Sequence, residues 1–125
     1  MAEKTDRTDK GFRKLIVWQK AHQLAMLVYR LTGDFPKSEM FGLTAQMRRA
    51  AVSVPANIAE GRGAGSGGQF GRFLGIAQGS LTEVEYYLIL SRDLDYVTGE
   101  KYQEAESLRA EVGFLLYRLM QKVRE

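Results

Sequence analysis

Catalysis by nucleophile or metal needs side chains that this sequence supplies sparingly. It has no cysteine and a single histidine, His22, so one chain cannot assemble a histidine-based triad or a histidine metal cluster. Glu83 and Glu85 come closest to a carboxylate pair, but two residues apart on a helix they point in different directions, which disfavours acid–base work. The run GAGSGG at 63–68 has the spacing of a dinucleotide fingerprint. That fingerprint needs a strand before it and a helix after it, and here the preceding segment reads as helix. No Lys-Ser or Lys-Thr follows the glycines, which excludes a Walker loop. The run still offers backbone amides at the start of the next helix, with Arg62 and Arg72 beside them, to a phosphate of a nucleic acid; a flexible solvent loop is the plainer alternative. Tyr86, Tyr87, Tyr96, Tyr102 and Tyr117 could stack on bases, although their helical spacing equally suits a core or its rim. A non-enzymatic protein with no metal and no cofactor is expected.

Charge points the other way, toward binding. Net charge is only +3, yet residues 10–80 hold ten basic side chains against three acidic ones, and residues 81–125 hold six against nine. Such asymmetry suits an anionic partner on one side or head-to-tail docking between copies. The candidate nucleic-acid-binding residues are Arg13, Lys14, Lys20, Arg30, Arg62 and Arg72. A shared basic face on the first and third helices would require those helices to be neighbours.

These residues must be held by helices. A chain of 125 residues reads as one domain over 12–125, following a disordered polar tail at 1–11. No apolar run nears the ~18 residues of a membrane span, and the start is too polar for a signal peptide, so a cytoplasmic location without membrane contact is expected. The first helix spans about 14–31, with Val17, Ala21, Leu24, Val28 and Leu31 in step and Trp18, Ala25 and Tyr29 widening the stripe. Thr32-Gly33-Asp34 ends it, and Ser38 is the expected cap of a second helix reaching about 60. The glycines of 61–68 form a linker, Ser66 with Gln69 makes a capping box, and a third helix runs to about 95. Its core stripe is Phe70, Phe73, Leu74, Ala77, Leu81, Val84 and Leu88. Thr98 caps a fourth helix with a seam of Ala105, Leu108, Val112, Leu115, Leu119 and Val123. Short links between four amphipathic helices predict an all-α, antiparallel up-down four-helix bundle.

The second helix organises the rest. Over 46–61 it reads QMRRAAVSVPANIAEG. Leu43, Met47, Ala50, Ala51, Val54 and Ile58 form an apolar stripe, and Gln46, Arg49, Ser53, Asn57 and Glu60 a polar one. Pro55 removes a backbone N–H and should kink or loosen the helix between residues 51 and 55. Arg48, Arg49, Glu60 and Glu83 could share a partly buried charge network that fixes register. In the third helix Gly71, Gly75 and Gly79 are spaced by four, each costing about 1 kcal/mol relative to alanine. The row serves close packing either within one bundle or between subunits. Surplus apolar residues (Ile76, Tyr87, Leu90 and Leu94, with Trp18, Ala25 and Tyr29) predict a closed homo-oligomer.

The run FGLTAQMRRAAVSVPANIAEG, with VWQKA upstream and FLGIAQGSLTEVE downstream, resembles a family of small four-helix bundles. That family includes proteins encoded by intervening sequences of large-subunit ribosomal RNA genes and accessory variability proteins of diversity-generating retroelements. The resemblance covers roughly residue 12 to the end, with three separated motifs in order. It implies a ring-shaped homopentamer with a basic surface, which in the retroelement branch engages a reverse transcriptase and nucleic acid. A protein-only scaffold, whose basic face serves subunit or partner contacts, is the alternative.

Overall fold

The structure, a computed structural model, describes residues 11–124; apart from Gly11, the tail expected at 1–11 lies outside the described residues. Four long helices account for most of the described chain, which contains no strand: α1 (Ile16–Thr32), α2 (Leu43–Arg62), α3 (Gly67–Asp93) and α4 (Gly99–Arg124). Short 3-10 turns at Phe12–Lys14 and Lys37–Glu39 precede α1 and α2. None of the helices is long and apolar enough to cross a membrane among the described residues.

Each helix forms because its apolar residues recur on one face, and all four faces meet in one core. The α2 stripe is buried as expected from Leu43 through Ile58, with Met47, Ala51, Val54 and Ile58 fully enclosed. Facing it are Leu24 and Val28 of α1, Leu74, Ala77, Val84 and Leu88 of α3, and Ala105, Val112 and Leu116 of α4. Two expectations shift by a residue or so. Leu116 is buried where the α4 seam predicts Leu115, after Ala105 and Val112, and Phe70 and Phe73 only rim the core. A helix of 3.6 residues per turn drifts out of a strict seven-residue step, so the buried phase moves.

Helix ends obey local chemistry, with one correction. Ser66 accepts the Gln69 N–H (3.2 Å) and Thr98 accepts the Lys101 N–H (3.1 Å), as their spacing predicts. Ser38 does not cap α2. It is held in the 3-10 turn, Gly42 occupies the cap position, and Glu39 Oε1 reaches forward to accept the Leu43 N–H at 3.1 Å. A carboxylate reaches an orphan amide from further back than a serine hydroxyl can, and it also answers the positive end of the helix. The Leu43 N–H, and then the Tyr96 hydroxyl at 2.8 Å, hold the Glu39 carboxyl below its ordinary range.

Pro55 is buried inside α2 without ending it. The glycine segment is shorter than expected: Gly61 and Arg62 complete α2, and Gly67 and Gly68 open α3. Within the remaining turn Gly65 takes φ +91°, a conformation that side chains rarely adopt. Of the glycines, Gly61 has the tightest surroundings: an added Cβ would lie 2.7 Å from Phe73 Cβ and 3.0 Å from Phe70 Cδ1, so α2 and α3 come close there. Gly75 and Gly79, by contrast, have nothing within 4 Å, and Gly71 meets only Val123 Cγ1 at 4.0 Å. Close packing of that row within one chain is therefore corrected: the row faces outward, because the buried phase of α3 runs through Leu74, Ala77 and Leu81 instead.

The helices contact one another in cyclic order, α1 with α2, α2 with α3, α3 with α4 and α4 with α1. Helices α1 and α3 thus lie across the core from each other, and the condition for a basic face shared by them is not met. Contacts along α2 run backward along α3: Met47 meets Ser91, Ser53 meets Ser80, and Gly61 meets Phe73.

Candidate nucleic-acid interface

This topology sorts the basic residues into two ends. At the turn end lie the end of α1, the start of α2, the end of α3 and the start of α4. Arg48 there reaches back from α2 to α1, donating from Nε to Thr32 Oγ1 (2.8 Å) and from its terminal nitrogen to the Tyr29 carbonyl (3.3 Å). Its guanidinium also stacks over the Tyr29 ring, 4.5 Å from the centroid. Thr32 is buried and in turn donates to the Val28 carbonyl (2.8 Å), so the arginine completes a polar group that could not otherwise be solvated. Arg92 pairs with Asp93 (3.1 Å) and covers the Tyr102 ring. Arg30 is exposed at this end, near Asp34 and far from the other candidates.

The linker end gathers the starts of α1 and α3 and the ends of α2 and α4. The contacts of Gly67 and Gly71 with Val123 and of Gly61 with Phe73 join the ends of α2 and α4 to the start of α3, and the 3-10 turn before α1 packs against α2. Here stand Arg13 and Lys14 on the 3-10 turn before α1, Arg62 at the end of α2, and Arg72 near the start of α3. All four are exposed. Arg72 donates to Gln69 (3.2 Å) and lies over the Phe73 ring, 4.7 Å from its centroid, contacts that orient the charge without neutralising it. The C-terminal turns of α4 add Arg118, Lys122 and Arg124, which sequence reasoning missed. Counting charge along the chain assigns them to an acidic segment; folding α4 back against α3 delivers them to the basic end. Among the described residues Glu60 is the acidic side chain placed there.

Lys20 does not join the linker-end set. It lies in the second turn of α1, where it is paired with Glu111, midway along α4, at 3.5 Å. A mid-bundle cation, Arg109, is largely buried between Glu106 (2.6 Å) and Glu85 (3.6 Å), and the Glu106 hydrogen bond holds its pKa up. It fastens α4 to α3 and is unavailable to a ligand.

The charge network expected on α2 does not assemble within the chain. Arg48 turns to α1, Arg49 donates to Gln46 (2.9 Å), and Glu60 and Glu83 are exposed and pair with no described residue. What forms instead is a neutral cluster. Ser53 and Ser80 hydroxyls share a hydrogen bond of 2.7 Å, and Asn57 Nδ2 donates to the Ser53 hydroxyl (2.9 Å) and carbonyl (2.8 Å). Short polar side chains meet where a pair of charges would each have to shed water, a cost that partial burial would not repay. His22 stacks on Trp18 (5.2 Å between ring centres) on the exposed side of α1.

Similarity to known proteins agrees with this architecture. The family model of the 23S rRNA-intervening sequence protein matches residues 13–118. No curated protein matches the chain. Among solved structures, the fold is similar to a protein of unknown function from the S23 ribosomal protein family of Bacteroides thetaiotaomicron, solved at 1.70 Å resolution. The TM-score is 0.77 at 28% identity, covering 85% of this chain and 96% of that one. The family match spans all of α1 to α3 and most of α4, and the chain belongs to the 23S rRNA-intervening sequence protein family.

Proposed function

We propose that this chain is a non-enzymatic adaptor that holds nucleic acid, bare or within a ribonucleoprotein such as a reverse transcriptase complex, on its basic linker end. The observation that carries the reading is the gathering of Arg13, Lys14, Arg62, Arg72, Lys122 and Arg124 at one end, opposed there by Glu60 among the described residues. At Lys14, Lys122 and Arg124, which form no ion pair with a described residue, phosphates would meet charge that is not already paired within the described chain. The family name, which refers to sequences interrupting ribosomal RNA genes, agrees with an RNA context.

The functional unit is proposed to be an antiparallel up-down bundle assembled into a closed homo-oligomer, a pentameric ring by family resemblance, in the cytoplasm. Supporting this are exposed apolar side chains in two regions, Met26, Tyr29 and Val52 beside Pro55 on α1 and α2, and Ile76 and Tyr86 on α3 with Leu94 just past its end. The outward row of Gly75 and Gly79 would let another backbone approach α3 closely. The same faces favour the second reading, a protein-only scaffold.

A salt titration of binding to a structured RNA separates the two. Each phosphate that a cation neutralises releases counterions, so log affinity should fall linearly with log salt. Changing Lys14, Arg62, Arg72 and Lys122 to Gln should flatten the slope by up to about 0.9 for each phosphate left unneutralised. Oligomer mass should stay unchanged. Salt-independent binding, or undiminished affinity in the quadruple variant, would move the reading to the scaffold.

A further inference from the structure

The tyrosines that sequence alone leaves undecided are sorted by the structure. Tyr102 is buried, Tyr87 and Tyr96 are half-buried, Tyr96 is committed to Glu39, and Tyr86, exposed on α3, tilts against Tyr87 with no cation stacked on its ring among the described residues. Tyr117 is 55% exposed and has Phe114, 59% exposed, one turn before it on the same outward face of α4. Arg118, Gln121 and Lys122 follow at helical spacing, and the five side chains with Leu119 line a shallow concavity of about 690 Å³. Two large aromatic side chains exposed on one turn of a soluble helix call for a partner, and their neighbours define its charge. Arg118 and Lys122 make no ion pair with a described residue, while the guanidinium of Arg118 sits 5.7 Å from the Phe114 ring centre, a loose contact.

We infer that Phe114 and Tyr117 form a base-stacking platform for single-stranded nucleic acid, with Arg118 and Lys122 taking the flanking phosphates. The inference rests on the nucleic-acid reading above and specifies which form is held. Aromatic faces accept any base, and alternating them with cations matches the strand's own alternation of base and phosphate. A duplex would satisfy the cations but leave both rings unused, because its bases are already stacked. A second copy of the chain fits less well, since Arg118, Lys122 and Arg124 would face the same basic end of a neighbour unless the two copies met out of register.

Fluorescence anisotropy with the full chain tests this through the ligand as well as the protein. Probes are a labelled single-stranded RNA, the same strand with its central bases replaced by abasic sites, and its duplex. The unmodified chain should bind the intact strand about fivefold or more tighter than the abasic one for each stacked base removed. Phe114→Leu with Tyr117→Leu should remove that difference and leave the salt slope unchanged, since the phosphate contacts remain. Phe114→Tyr should preserve it. Equal affinity for intact and abasic strands with a steep salt slope would overturn the platform and spare the basic-end reading; no salt-dependent binding at all would overturn both. A leucine variant that binds the intact strand normally, or that changes oligomer mass, would make the face a subunit contact and end the inference.

Discussion

The two ends of this molecule carry comparable numbers of basic side chains and use them differently. At the turn end Arg48 is answered by Thr32 and the Tyr29 carbonyl and Arg92 by Asp93, while Arg30 stays exposed. Tyr96 adds a bridge from the α3–α4 turn, packing on Phe35 (5.2 Å between rings) and donating to Glu39. At the linker end Lys14, Lys122 and Arg124 are exposed and form no ion pair with a described residue. The contrast separates charge that fixes structure from charge left available to a partner. It also shows why composition misleads: the same residue type does opposite work depending on which helix ends share its surroundings.

The largest expected effects lie in the core beneath both ends. Met47 is wholly enclosed, with its sulfur 3.6 Å from the Ser91 hydroxyl, so Met47→Ala should cost about 2–5 kcal/mol in chemical unfolding. Next comes the linker end's one tight spot. Gly61→Ala pushes a methyl against the Phe73 Cβ, which is fixed to the α3 backbone and cannot swing away, and overpacking of this kind costs about 1–3 kcal/mol. Gly75→Leu, by contrast, meets nothing in the same chain and should leave the monomer as stable or raise its Tm; loss of assembly in that variant would locate the row at a subunit interface.

The comparison of ends is sharpened by matched substitutions. Arg48→Ala strips the buried Thr32 of a partner and should cost about 1–3 kcal/mol, whereas Lys122→Ala should stay within about 0.5 kcal/mol of the parent. Equal costs would erase the distinction between the ends. Smaller still is the effect of Glu39→Gln. The folded-state pKa of Glu39 is lowered, so its ionised form contributes stability that is present above the ordinary carboxylate range and lost as pH falls through the folded value. The variant should therefore melt lower than the parent at neutral pH, and the gap should close in acid. A gap constant with pH would show that charge is not what Glu39 contributes.

Much of this is legible in the sequence, for a physical reason. Burial follows a period, so the α2 stripe and most of the α1 and α3 stripes can be read directly, as can the Ser66 and Thr98 caps. What depends on which helices touch cannot. Spacing alone suggests close packing for the Gly71–Gly75–Gly79 row, but its phase relative to Leu74 turns it outward. Gly61 reads as linker and is a close contact between α2 and α3. Arg48 sits next to Arg49 in the chain and points to a different helix. The candidate site shows the same limit: Arg13, Lys14, Arg62 and Arg72 share the linker end although α1 and α3 are not neighbours, Lys20 and Arg30 do not join them, and Lys122 and Arg124 arrive only through the return of α4.

The central claim is that the linker end, and not basic charge in general, binds nucleic acid. The most direct measurement compares two charge-matched variants by salt-titrated binding to one RNA, one with Lys14, Arg62, Arg72 and Lys122 changed to Gln, the other with Arg30, Lys37, Arg92 and Lys101 changed to Gln. The account predicts a weaker affinity and a flatter slope of log affinity against log salt for the first, and a slope close to the parent's for the second. Equal losses in the two variants, or a loss confined to the second, would contradict it.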